Sequence, residues 1–154
     1  MARFRYSLQS ILDIKMKMET QAKQEFSAAK NALDTEKERL CRLKQRKEEY
    51  ELEMTGLLCG SLKLREIEES KNAILMMEQY IAEQQLCVMR AEKELELARE
   101  RLTEVMKERK THETLKEKAF EDFLQEENRQ EGKAIDELTS YTYGQKRQVK
   151  EGNG

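Results

Sequence analysis

The sequence predicts an all-α fold, a long two-helix antiparallel coiled-coil hairpin, on three observations. First, Ile67, Ile74, Ile81, Val88, Leu95 and Leu102 recur at every seventh position, with Met77, Ala91, Ala98 and Val105 in the intermediate slots. A residue returns to the same helix face after about 3.6 positions, so a sustained 3.5-residue repeat keeps its stripe in line only where two helices supercoil. Second, no Pro, no Trp and only six Gly interrupt 154 residues, so long helices meet few breakers. Third, 39% charged and only 6% aromatic residues are poor material for a three-dimensional core. The apolar residues nevertheless fall at helical spacing, which separates the chain from a disordered one.

Helix 1 is predicted from about residue 4 to 57. Its stripe steps by threes and fours through Phe4, Leu8, Ile11, Met18, Ala22, Phe26, Ala29, Leu33, Leu40, Leu43, Tyr50, Met54 and Leu57. Lys15, Glu36 and Lys47 interrupt it, and consecutive steps of four near Phe26 make a stutter that relaxes the supercoil. A turn is predicted at about 58–62, beside the closely spaced Gly56 and Gly60. Glycine reaches left-handed geometry cheaply at a helix C-terminus, and Ser61 with Glu66 is an acceptable start for the next helix.

Helix 2 is predicted from about 63 to 140, followed by a frayed tail over 141–154. At 1.5 Å per residue it is about 115 Å long against about 80 Å for helix 1. The short connection makes the two antiparallel neighbours, so residues 1–154 form a single coiled-coil domain with an overhang near Phe120 to Leu138. That overhang carries Phe120, Phe123, Leu124, Ile135 and Leu138 among acidic residues. A two-helix seam buries most of its side chains only partly, which leaves the ends and the overhang open to stabilisation by binding.

The net charge of -2 hides a basic stretch from Lys37 to Lys47 and an acidic one from Glu121 to Glu137. Both read as solvated helix faces, and without a clearly basic domain or a readable motif no nucleic-acid partner is indicated. Cys41, Cys59 and Cys87 are odd in number and lack a Cys-x-x-Cys pair, which points to free thiols in a reducing cytosol. No apolar run is long enough to span a membrane, and no targeting segment is recognised, so a soluble protein is expected. The only histidine, His112, falls on the seam or its flank beside Leu115. With no phosphate loop, nucleophile elbow or clustered metal ligands, neither an enzyme nor a cofactor or metal site is expected.

Apolar residues exceed what one seam uses. Beside the seam of helix 2, Ala73, Met76, Tyr80 and Cys87 make a second stripe, extended by Leu75, Leu86 and Met89. Either a third helix or second copy covers it, or it is a docking face, for which adaptable Met-rich surfaces are suited. Tyr6, Leu12, Ile14 and Met16 likewise add apolar mass beside Phe4, Leu8 and Ile11, as a contact site or as a wrap onto the overhang.

The opening Phe4-Arg5-Tyr6-Ser7-Leu8-Gln9-Ser10-Ile11-Leu12-Asp13-Ile14-Lys15 resembles the start of the flagellar export protein FliJ family. Arg46-Lys47-Glu48-Glu49-Tyr50 before the turn and Asp136-Glu137 near the end extend the resemblance over nearly the whole chain. It implies a component of the flagellar type III protein export apparatus, a coiled coil similar to the central stalk of rotary ATPases. Such a protein binds and stimulates the export ATPase ring, links it to the cytoplasmic domain of the export gate, and handles export chaperones. It implies a cytoplasmic protein held peripherally at the inner membrane through the apparatus, without direct insertion.

Carried over by motif, the ATPase contact falls on Phe4, Tyr6, Leu8, Ile11 and Leu12 with Asp136 and Glu137. The gate contact falls on Ala73, Met77, Tyr80 and Gln84, joined by Met76 of the surplus stripe; Ala73 stands where many relatives carry an aromatic. An injectisome-type secretion stalk and a generic structural coiled-coil homodimer are the competing readings.

Overall fold

The computed structural model describes residues 2–60 and 63–152. Nearly all of them lie in two helices, α1 (Gln9–Cys59, 51 residues) and α2 (Leu64–Gly152, 89 residues), with no strand among the described residues. The fold is all-α, helix against antiparallel helix, as the seven-residue repeat predicts. By contacts the chain divides into two compact units, Met18–Met106 and Met1–Lys17 with Lys107–Gly154.

In Met18–Met106 the cross-helix contacts set the register. Lys47 Nζ lies 3.4 Å from Glu78 Oε1, Gln84 Nε2 donates to the Glu36 carbonyl at 3.0 Å, and Arg101 Nη1 lies 3.6 Å from Glu25 Oε2. As α1 is read backwards from Lys47 to Glu25, its partners on α2 advance from Glu78 to Arg101, which defines antiparallel pairing. Ile67, Ile74, Ile81, Val88, Leu95 and Leu102 are all half-buried, while Ala22, Leu33, Ala91 and Val105 are fully buried. A single partner helix covers a seam residue from one side only, so most of the seam keeps an exposed edge and few side chains are fully enclosed.

In the unit formed by Met1–Lys17 and Lys107–Gly154, α1 begins at Gln9 and not near residue 4. Residues 2–6 are irregular and a turn at Ser7 and Leu8 leads in. The Gln9 amide donates to the Tyr6 carbonyl, and the Ile11 and Leu12 amides to that of Leu8, each at 3.1 Å. Leaving the helix early frees Phe4 to pack on α2, edge-on to Phe120 with centroids 5.1 Å apart and 5.4 Å from Phe123. The N-terminal segment is thus a wrap onto the predicted overhang. Deeper in this unit Leu12 is 1% exposed, and Lys15 Nζ reaches Glu108 Oε2 at 2.8 Å.

Two boundary expectations change. α1 passes through Gly56 and ends at Cys59, where the Gly60 amide donates to the Leu57 carbonyl at 3.4 Å. Neither Gly56 nor Gly60 takes a left-handed conformation, so a tightened last turn closes this helix. Ser61, expected to start the next helix, lies outside the described residues, and α2 begins at Leu64. The expected frayed tail, 141–154, is helical through Gly152: Thr139 and Thr142 bond back to Ile135 and Leu138, and Gln145 to Tyr141, in a stretch without Pro.

Candidate docking surfaces

The first candidate surface belongs to the unit holding both termini. Leu8 is 40% and Ile11 39% exposed, so these apolar side chains are open to a partner, with Ile14 and Met16 exposed beside them. Phe4 is half-buried in the aromatic cluster with Phe120 and Phe123. Tyr6 is half-buried and its hydroxyl finds no hydrogen-bond partner, and Leu12 is core. Asp136 and Glu137 are exposed, as is every residue over 128–152. They lie 13 residues or more beyond Phe123, about 20 Å farther along α2, and are not brought against Phe4 to Leu12.

The second candidate surface belongs to Met18–Met106. Met76 and Tyr80 stand out from the seam, 51% and 41% exposed. Ala73 and Met77 are half-buried beside it. Gln84, expected on the gate-facing stripe, is half-buried, donating to the Glu36 carbonyl at 3.0 Å and to its carboxylate. Its first role is therefore to pin α1 against α2. A shallow groove of ≈ 420 Å³ runs along this edge, lined by Arg39, Arg42, Leu43, Arg46, Met77 and Gln84. Tyr80 is three residues after Met77 and four before Gln84, so it stands at the same edge.

The arginines in this groove belong to the basic stretch that the sequence presents as a solvated helix face. Their spacing, i, i+3 and i+7, is the signal that they share one face, but only the helix register shows that this face borders Met77 and Gln84. Arg46 donates to the Tyr50 hydroxyl at 3.4 Å with its guanidinium 5.5 Å from the ring centre; the hydrogen bond raises the Arg46 pKa above its ordinary value. Farther along, a second groove is lined by Tyr50, Leu57, Ala73 and three carboxylates, Glu53, Glu66 and Glu69.

His112 is half-buried, its Nδ1 without a hydrogen-bond partner. Cys41 and Cys59 are exposed free thiols and Cys87 is half-buried. Among the described residues no cluster of three or more His, Cys, Asp or Glu could hold a metal ion, and no helix is long and apolar enough to cross a membrane.

A pair of long antiparallel helices packed along one apolar seam defines a helical coiled-coil scaffold, with further apolar side chains exposed outside that seam. The chain belongs to the flagellar FliJ protein family, whose model matches residues 4–148. It is accordingly a protein of the flagellar and type III export class. No curated relative matches it in sequence. A solved structure of a Chlamydia trachomatis protein described as a YscO homolog shares the fold, with a TM-score of 0.74 over 95% of this chain and 99% of the other, at 24% identity.

Proposed function

We propose that the chain is a non-enzymatic stalk of the flagellar export apparatus that binds and stimulates the export ATPase ring and links it to the export gate and to export chaperones. Membership of the FliJ family over residues 4–148 carries this reading. Leu8 and Ile11 supply the exposed apolar contact to the ATPase, with Phe4, Tyr6 and Leu12 holding that segment in place. Asp136 and Glu137 form a separate acidic contact farther along α2. Met76 and Tyr80 meet the gate, with Ala73, Met77 and Gln84 forming the wall behind them. The protein works in the cytoplasm, held at the membrane through its partners, as one domain from 1 to 154.

Physically, a long helix pair can touch several subunits of a ring at once and hand their motion to a second partner. Deletion of the gene, tested for swimming and paired with an ATPase assay using purified protein, tests the reading. Loss of swimming together with stimulation of the export ATPase supports it. Normal swimming with a defect in effector secretion assigns the chain to an injectisome instead, and a stable dimer that leaves the ATPase unaffected assigns a structural coiled coil.

A further inference from the structure

Arg39, Arg42 and Arg46 stand along one edge of the groove floored by Leu43 and Met77, and the exposed Tyr80 and Met76 continue its apolar surface. Three cations in a row on one side of an apolar floor are complementary to a helix with carboxylates along one side of an apolar stripe. We infer that this groove docks an acidic amphipathic helix of a protein partner, its carboxylates on the arginine row and its apolar stripe on Leu43, Met77 and Tyr80. The inference rests on the reading of this face as the gate contact and adds the chemistry that the gate segment must carry.

Arg42 and Arg46 keep their charge available, Arg46 with only the Tyr50 hydroxyl and ring against it, while Arg39 must share or exchange a carboxylate it already holds. Arg42 lies 3.6 Å from Glu38 with both side chains about seven-tenths exposed, an exposed pair of the kind that adds little and exchanges partners readily. Arg39 shares the Glu36 carboxylate, at 3.1 Å, with Gln84. Guanidinium forks pair with carboxylates in two-point fashion, which a lysine row would not do. The row also has an end. Past Tyr50 the next groove is lined by Glu53, Glu66 and Glu69, so the carboxylates of the docked helix are confined to the stretch that faces the arginines.

Binding of the purified full-length protein to the purified cytoplasmic domain of the gate, measured by calorimetry at 50 and 300 mM NaCl, tests this. Expected is a wild-type affinity that falls about tenfold with added salt, and an R39Q/R42Q/R46Q variant about tenfold weaker at low salt and nearly insensitive to it. The single Arg42→Gln change, at a well-exposed position, serves if the triple variant loses helicity; it is expected to flatten the salt dependence in part. If Met76→Ala with Tyr80→Ala abolishes binding while the arginine variants bind like wild type, the acidic helix is wrong and the gate face stands. Wild-type binding that ignores salt has the same meaning. If neither set of changes matters, or the wild type does not bind, the gate reading of this face fails as well. Self-association through the groove, seen in sedimentation as a dimer that the arginine variants dissolve, also overturns the inference by making a second copy the occupant.

Discussion

At the scale of single residues, burial decides what a side chain is free to do. Leu12 and Ile11 are neighbours in sequence and both were expected at the ATPase contact, yet Leu12 is 1% and Ile11 39% exposed. Leu12→Ala removes a core side chain and should lower unfolding stability by about 3 kcal/mol in a chemical melt followed by circular dichroism; a change of a few tenths would place Leu12 on the surface. Charge is equally local. The hydrogen bond from Arg129, 2.8 Å from Glu126, holds the Glu126 carboxyl below its ordinary pKa. Because folding lowers this pKa, the pair contributes above the pKa of the unfolded chain, and the contribution is lost as pH falls through the folded value. Arg129→Gln should raise the Glu126 midpoint in a carboxyl NMR titration, and an unchanged midpoint would remove the pair as its cause.

At the scale of the helices, the seam was legible because its signal is periodic. Ile67 to Leu102 mark the buried face of α2 without reference to any other element. What needs two helices at once was not legible. The basic stretch of α1 reads as a solvated face until the register sets Arg39, Arg42 and Arg46 beside Met77, and Gln84, carried over by resemblance to the gate contact, is bonded to Glu36 across the seam. The N-terminal wrap was an open alternative for the same reason: Phe4 sits in phase with the α1 stripe, but Phe120 and Phe123 offer it an aromatic surface on the other helix. The helix ends were the least legible, since Gly56 carries no left-handed turn and the polar run to Gly152 lacks a breaker.

Glu36 and Gln84 form a polar step in an apolar seam, a device that fixes alignment at some cost in stability. Glu36→Leu with Gln84→Leu should raise the thermal midpoint by a few degrees, about 1 kcal/mol, while spin labels at Cys41 and Cys87 report a broader distance distribution. A lower midpoint with an unchanged distribution would show that the pair stabilises the seam and does not select its register.

At the scale of the whole molecule, the seam builds the scaffold, and the proposed contacts use the apolar residues that it leaves exposed. The overhang beyond Phe123 is helical yet exposed from 128 to 152, so it is the part most open to change on binding. The most direct measurement is a titration of export ATPase activity with purified protein, comparing wild type with a variant carrying Leu8→Asp and Ile11→Asp that retains full helicity. Wild type is predicted to raise ATP hydrolysis and the variant to leave it at its basal rate even at saturation. Equal stimulation by both proteins would contradict the assignment of the ATPase contact to Leu8 and Ile11, and no stimulation by wild type would contradict the stalk itself.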